Sequence, residues 1–155
     1  MTDHVTDADQ RMPAGLQEIV EDFDSVAPAE RLQLLLEFSA GLPELPERYA
    51  DHPELLEPVP ECQSPIFLIA EVDDSGPEPV ARLFFSAPPE APTTRGFAGI
   101  LHEGLDGLPV GEVLGTPDDL AERLPLASVV SPLRLRGLAA MLARVKRQVR
   151  ALVAG

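Results

Sequence analysis

The single cysteine of this chain, Cys62, is the residue best suited to chemistry. Its neighbours Glu61, Gln63 and Ser64 are polar, and prolines bound the segment on both sides. A lone thiol cannot form an intramolecular disulfide or a cysteine-rich metal site. Two interpretations stay open on these residues alone. Cys62 is either a small hydrophobe packed in the core, as free cysteine often is, or a reagent whose reaction partner belongs to another molecule.

The carboxylate of Glu61 bears directly on the reactivity of this thiol. An adjacent anion disfavours the thiolate, so we expect it to raise the pKa of Cys62. Such a thiol is a poor free nucleophile and depends on a partner for activation. A reactive thiol that is shielded when idle and exposed only on docking avoids oxidation, so we expect Cys62 to be partly or wholly buried in the free protein.

Other catalytic arrangements have little support in the sequence. There is no phosphate-binding glycine motif and no Gly-x-Ser-x-Gly elbow. The histidines His4, His52 and His102 are far apart and lack metal-ligand spacing, so neither metal nor cofactor is expected. A Cys–His pair of the hydrolase type is the weaker alternative, because we expect His102 to pack and His52 to be solvated. Lys146 lies in a basic segment and is a poor Schiff-base candidate.

Length and charge bound the class of protein. The 155 residues predict a flexible tail over 1–12 and a single domain over 13–155. A net charge of −14 disfavours nucleic-acid binding, which needs a cationic face. No signal peptide is recognisable, and no apolar run approaches the roughly 20 residues that span a bilayer. With one cysteine, these features favour the cytoplasm and argue against a membrane partner.

The charge is unevenly distributed along the chain. All 26 acidic residues precede residue 131, whereas six of the 12 basic residues follow it. Such a basic segment can bind the acidic body of its own protein or an acidic partner. We favour the first interpretation and keep the second open.

Hydrophobic periodicity predicts helices at both ends of the chain and strands in the middle. Helices are expected over about 16–26 and 28–41, forming an antiparallel pair, followed by an extended proline-rich connection over 42–60. A β-hairpin is expected at 66–85. Helices capped by Thr93 or Thr94, by Thr116 and by Ser131 complete the chain. The order predicts an α+β fold, a small antiparallel sheet packed against helices.

Two glycines in the helix around residue 100 share one face. Gly96 and Gly99 lie three residues apart, and each costs about 1 kcal/mol relative to alanine in a helix. A second backbone passing close to this face would explain why glycine occupies both positions.

Several segments, in order along the chain, resemble the SufE family of sulfur-acceptor proteins over about residues 14–150. They are Ile19-Val20-Glu21-Asp22-Phe23, Leu42-Pro43-Glu44-Leu45-Pro46, Cys62-Gln63-Ser64, Arg95-Gly96-Phe97-Ala98-Gly99-Ile100-Leu101 and Ser131-Pro132-Leu133-Arg134-Leu135-Arg136-Gly137-Leu138. The resemblance implies the α+β fold shared by SufE and NifU-type proteins. It also implies an accessory sulfurtransferase, without small-molecule turnover of its own, that stimulates a desulfurase.

In that role, a pyridoxal-phosphate-dependent cysteine desulfurase would pass persulfide sulfur to Cys62, and an iron–sulfur scaffold complex would receive it. The resemblance makes Glu61, Gln63 and Ser64 the supporting loop of the cysteine. The sequence departs from the family where Glu61 and Pro58 replace the glycine and basic residue often found there.

The resemblance also implies partner contacts away from the cysteine itself. It assigns these contacts to Arg134, Arg95 and Gly96. A regulator that binds and stimulates a desulfurase without carrying sulfur is the alternative function.

Overall fold

The computed structural model describes residues 10–154 of the chain. Its α-helices are α1 (Ala14–Ser25), α2 (Pro28–Ala40), α3 (Glu47–Ala50), α4 (Pro92–Leu105), α5 (Val110–Leu114), α6 (Leu120–Arg123) and α7 (Pro132–Ala154). Its strands are β1 (Glu57–Pro58), β2 (Phe67–Asp73) and β3 (Val80–Ser86). The α+β class predicted from the sequence is confirmed.

The sheet is antiparallel, with strand order β1-β2-β3. The predicted hairpin is present, with its register running from Phe67 opposite Ser86 to Asp73 opposite Val80. The short strand β1 was not expected, because its prolines indicated only an extended connection. Proline is tolerated in an edge strand, where one side of the backbone needs no partner.

Helix α4 is the centre of the helical layer. Its predicted apolar set, Phe97, Ile100, Leu101 and Leu105, is completely buried. Helices α1 and α2 both pack chiefly against α4. They contact each other where the Phe23 and Phe38 rings stack at 5.8 Å and the Arg31 guanidinium donates to the Phe23 carbonyl at 3.0 Å, so the predicted pair is present but is secondary to the packing on α4. Their apolar side chains are better covered by α4 because it is apolar on several faces.

The two glycines of α4 allow helix α2 to approach closely. A Cβ added at Gly99 would lie 2.2 Å from the backbone oxygen of Phe38, and one at Gly96 would lie 2.7 Å from that of Leu35. Neither distance leaves room for a side chain, so the expected close approach of another backbone is confirmed.

Two of the predicted helix starts are wrong. Helix α4 begins before both Thr93 and Thr94, and neither side chain caps it. Thr116 does not begin a helix either, because its hydroxyl donates to the Glu112 carbonyl at 3.0 Å and closes α5. A threonine hydroxyl can bond backward to the preceding turn as readily as forward to an N–H group.

The long helix α7 begins as predicted. The Ser131 Oγ accepts a hydrogen bond from the Arg134 N–H at 3.3 Å. On the apolar face of α7, Leu138, Leu142, Val145 and Val149 are buried, and Leu135 is partly buried. Leu152, near the end of the helix, is about half exposed. Helix α7 lies against β2, where the Gln148 side chain accepts a hydrogen bond from the Ala70 N–H at 2.7 Å.

Residues 1–9 of the tail predicted over 1–12 lie outside the described residues. At residue 11 the backbone is already fixed, because the Arg11 N–H donates to the Gly115 carbonyl at 2.8 Å. Among residues 10–154, no helix combines the length and apolar character needed to cross a membrane.

Candidate functional site

Cys62 lies in the connection between the antiparallel strands β1 and β2, which we call the Cys62 loop (residues 59–66). The Val59 N–H donates to the Ile66 carbonyl at 2.9 Å and closes the base of the loop. Both of these side chains are about 1% exposed and anchor the loop in the core. Val59 and Ile66 are thus apolar anchors on either side of a polar tip that includes the exposed Glu61 and Gln63.

The tip of the Cys62 loop is a tight 3-10 turn over Pro60–Cys62. The Cys62 N–H donates to the Val59 carbonyl at 3.0 Å, and proline fits the first position of such a turn. Gln63 then adopts a left-handed conformation with φ of 58°, which is unfavourable for most residues other than glycine. This reversal leaves Gln63 exposed and Ser64 half-buried, while Cys62 faces inward.

The Cys62 side chain is 3% exposed and lies against Gly137 of α7. Its Sγ is 3.6 Å from the Gly137 carbonyl oxygen, a weak S–H hydrogen bond. A Cβ at position 137 would lie 3.0 Å from Sγ and 3.1 Å from the Cys62 Cα. The missing side chain of Gly137 therefore provides the space that the thiol occupies. The expected burial of Cys62 is confirmed.

Arg144 of α7 connects this loop to the helix electrostatically. Its Nη2 is 3.0 Å from a carboxylate oxygen of Glu61, and its Nε is 3.2 Å from one of Glu57 in β1. Glu57 also contacts Arg147 and accepts a hydrogen bond from Gln148 at 2.9 Å. Both carboxylates before the cysteine are thus held by cations of α7.

The prediction that the basic C-terminal helix binds its own acidic body is confirmed for three of its cations. Besides Arg144 and Arg147, the buried Lys146 pairs with Asp118 at 2.7 Å and donates to the Thr116 carbonyl at the same distance.

Burial raises the pKa of Cys62 to about 11, with the Glu61 carboxylate adding to the increase and Arg144 opposing it. The expected effect of Glu61 has the correct sign, but the loss of water around the thiol is the larger cause. Glu61 itself has a lowered pKa, owing to its backbone hydrogen bond and then to Arg144. In the closed loop, Cys62 is a neutral thiol at physiological pH.

Of the predicted partner-binding residues, Arg134 is exposed and lies one helical turn before Gly137. No carboxylate within residues 10–154 forms an ion pair with it. Arg134 therefore lies on the same face of α7 as Gly137, which covers the thiol, and has no ion-pair partner within residues 10–154.

Arg95 and Gly96 make internal contacts instead. The Arg95 guanidinium donates to three backbone carbonyls, those of Ser39, Leu42 and Ala87, at 3.0, 3.3 and 2.6 Å. Gly96 is buried beneath α2. These contacts tie α2 and the following connection to α4, and none of the Arg95 hydrogen-bond partners belongs to the Cys62 loop.

The histidines in the described chain do not pair with the thiol. His52 Nδ1 is 3.1 Å from Glu54, and His102 Nε2 is 3.7 Å from Asp106. His52 is exposed as expected, and His102 is partly buried. His4 lies outside the described residues. Within residues 10–154, the charged groups that act on the Cys62 thiol are Glu61 and Arg144, and neither His52 nor His102 forms the Cys–His pair weighed from the sequence.

Sequence reasoning missed Glu57, Gly137 and Arg144. A glycine within an otherwise regular 23-residue helix was an available signal for Gly137, since it suggests a close contact. No sequence signal connects Arg144 to carboxylates more than 80 positions earlier.

Fold and site together define an α+β protein with one sequestered thiol on the loop between two antiparallel strands. The chain belongs to the SufE family, whose Fe–S metabolism associated domain matches residues 17–149. It is 55% identical over 139 residues to an uncharacterized SufE-like protein of Mycobacterium tuberculosis, covering 90% of this chain and 94% of that protein.

Two further comparisons extend across kingdoms and to a solved structure. SufE-like protein 1, chloroplastic/mitochondrial, of Arabidopsis thaliana is 29% identical over 140 residues, which are 90% of this chain and 36% of the plant protein. The solution structure of a hypothetical protein from Thermus thermophilus has a TM-score of 0.80 at 39% identity, covering 94% of this chain and all of that one. A role associated with Fe–S metabolism follows from the family.

Proposed function

We propose that this protein is a sulfur carrier that accepts persulfide sulfur from a cysteine desulfurase onto Cys62 and passes it to an iron–sulfur cluster scaffold. The observation that carries the proposal is the position of Cys62. The single thiol of the chain is 3% exposed at the tip of a loop joining two strands, against a glycine that leaves room for it. Cys62 also belongs to the hydrophobic core, and its place on a short loop between exposed Glu61 and Gln63 favours a thiol that can leave that core.

The chemistry requires one nucleophilic substitution and no net oxidation. The Cys62 thiolate attacks the outer sulfur of the desulfurase persulfide. A new S–S bond forms on Cys62, the S–S bond on the desulfurase breaks, and the desulfurase cysteine leaves as a thiolate. The proton lost by Cys62 balances the one that the leaving thiolate takes up. A second transfer of the same kind delivers the sulfur to the scaffold.

The closed loop cannot perform this attack, because its thiol is both neutral and covered. Docking of the desulfurase must therefore draw the Cys62 loop away from α7 and into a setting that favours the thiolate. We assign the first contact to Arg134, which is exposed beside the site and free to meet a carboxylate of the partner. The contacts implied for Arg95 and Gly96 remain predictions.

The test combines the chain with a pyridoxal-phosphate-dependent cysteine desulfurase and free cysteine, followed by intact-mass spectrometry without reductant. Wild-type protein should gain about 32 Da, the mass of one sulfur atom, and Cys62→Ser should gain nothing. Glu112→Gln, an exposed change in α5, serves as the matched control and should gain the same mass as wild type. An unmodified wild-type protein would refute the carrier function.

The raised pKa of Cys62 favours one alternative, a regulator that stimulates the desulfurase without holding sulfur. A thiol with a pKa of about 11 is a weak nucleophile in the closed state. In that case Cys62→Ser would stimulate sulfide release by the desulfurase as strongly as wild type does. Loss of both stimulation and mass gain in this variant would reject the regulator.

A further inference from the structure

The segment that carries Cys62 is attached to α7 at two charged points. Glu57 marks its start in β1 and Glu61 directly precedes the thiol, and both carboxylates contact the same Arg144 guanidinium. A third group, the Ala140 carbonyl, is 3.4 Å from Nη1 and fixes the guanidinium on its own helix. One side chain thus connects the segment before the thiol, at Glu57 and at Glu61, to the helix that covers the thiol.

We propose that Arg144 is a positioning residue that controls release of the Cys62 loop from α7. Within residues 10–154, the hydrogen bonds and ion pairs of Arg144 are with Glu57, Glu61 and the Ala140 carbonyl, and none of them involves the Cys62 Sγ. Arg144 therefore acts on the loop through Glu57 and Glu61. Release of the thiol requires the Glu61–Arg144 ion pair to break, because Glu61 lies in the loop whereas Glu57 is held in β1. A docking partner opens the loop by offering alternative partners to these two charges. The inference deepens the proposed function and takes its biological meaning from it, but its test needs only the protein itself.

The arrangement suits a contact that must break during function. Arg144 is only 20% exposed, yet its buried Nε lacks a hydrogen bond of good geometry although Glu57 is 3.2 Å away. Glu61 is about half exposed, so water can take over its hydrogen bonds once it leaves. A buried donor with an imperfect partner makes the closed state less stable than a fully bonded one. The loop is therefore held, but not irreversibly.

The direct electrostatic effect of Arg144 on the thiol has the opposite sign, which makes the proposal testable. The guanidinium favours the Cys62 thiolate, so its removal through charge alone would slow alkylation of Cys62. Removal of a residue that holds the loop closed would instead expose the thiol and accelerate the reaction. The direction of the change thus separates the two roles.

The experiment measures the rate of Cys62 alkylation by N-ethylmaleimide, an uncharged reagent, at constant pH and ionic strength. Arg144→Gln should react up to about fivefold faster than wild type, as expected for the loss of one partly exposed ion pair between the loop and α7. Arg144→Lys should restore part of the protection. Arg150→Gln is the matched control, since Arg150 is an exposed cation of α7 without an ion pair within residues 10–154. It should react at the wild-type rate.

A second variant keeps the test decisive if Arg144→Gln fails to fold. Glu61 is exposed, so Glu61→Gln should fold and should also alkylate faster than wild type. Because the Glu61 carboxylate raises the pKa of Cys62, loss of its charge alone would have the same effect on alkylation. Loop opening in this variant is therefore measured by hydrogen exchange of the Cys62 N–H, which is bonded to the Val59 carbonyl at 3.0 Å and should also exchange faster than in wild type. In the double variant the two accelerations should combine to less than their product, because both remove the same ion pair. Unchanged or slower alkylation of Arg144→Gln, or full additivity with Glu61→Gln, would overturn the proposal. If Glu61→Gln alone is available, a hydrogen-exchange rate of the Cys62 N–H equal to that of wild type would overturn it.

A negative alkylation result is distinguishable from failure of the carrier function. The mass gain on Cys62 in the presence of a desulfurase tests sulfur transfer whether or not Arg144 holds the loop. Conversely, faster alkylation of Arg144→Gln would support control of the loop even if no sulfur were carried.

Discussion

Gly137→Ala tests directly whether the Cys62 loop rests on α7. The added Cβ would lie 3.0 Å from the Cys62 Sγ and 3.1 Å from its Cα, where nonbonded atoms prefer about 3.5–4.0 Å. The contact with Cα means that rotation of the cysteine side chain cannot relieve the overlap. The loop must therefore move by about 0.5–1 Å or leave the helix.

Two opposing energies set the size of the effect. Overpacking of this kind costs about 1–3 kcal/mol, and that cost applies only while the loop is closed. Alanine within a helix is favoured over glycine by about 1 kcal/mol in both the open and the closed state. Global stability should thus change little, because the loop can open and avoid the overlap. The open population should rise about fivefold to a hundredfold, since each 1.4 kcal/mol is tenfold.

The assay pairs two measurements on the same variant. Alkylation of Cys62 by N-ethylmaleimide reports the open population when opening is faster than reaction, and urea denaturation reports global stability. Gly111→Ala is the matched control, because Gly111 is also helical and a Cβ there would meet nothing within 4 Å. It should leave alkylation unchanged and should not destabilise the protein.

One result would refute this reasoning. If Gly137→Ala alkylates at the wild-type rate and gains about 1 kcal/mol of stability, only the helix propensity has changed. The loop would then not rest on Gly137, and the geometry that supports the sequestered thiol would be wrong.

Two further predictions concern stability. Gly99→Ala should lower the free energy of unfolding, measured by urea denaturation, by about 3 kcal/mol. The new Cβ would lie 2.2 Å from the backbone oxygen of Phe38, so α2 and α4 would have to separate. A loss no larger than that of Gly111→Ala would contradict the packing of α2 on α4. Cys62, whose pKa rises from an ordinary 9.0 to about 11 on folding, should make stability fall as pH increases from about 9 to 11, since the unfolded chain releases its thiol proton first. Wild type should lose up to about 3 kcal/mol over this range that Cys62→Ala retains, and parallel curves for the two proteins would show that the thiol titrates normally.

The sequence predicted the fold where local patterns determine structure and failed where distant contacts do. The hairpin and the start of α7 follow from alternation and from a serine N-cap, which are both local signals. The helix start predicted at Thr116 was wrong because a threonine hydroxyl can bond to the end of one helix or to the start of another, and only the surrounding packing selects between them. Strand β1 was not predicted because its two residues are too few to show the alternation of a strand.

The candidate site divides in the same way. Burial of Cys62 was expected because a reactive thiol must be shielded from oxidation when idle, but the surface that covers it was not predicted. Gly137 and Arg144 come from a helix that begins 70 positions after the cysteine, and their proximity is a product of the tertiary fold. Residues related only through packing leave no joint pattern in a single sequence.

The proline in strand β1 restricts how another protein can recognise this site. In an antiparallel pair, alternate residues direct their N–H and C=O groups to the partner strand. Glu57 and Val59, on either side of Pro58, direct theirs toward β2, so the backbone groups of Pro58 point to the open edge of the sheet. It has no N–H group to offer there, and a strand from another molecule cannot complete a ladder beside it. Strand addition next to the reactive loop is therefore disfavoured, whether by a partner or by a second copy of the chain. Side chains would therefore make the recognition contacts, and the protein is protected from edge-to-edge aggregation beside the Cys62 loop.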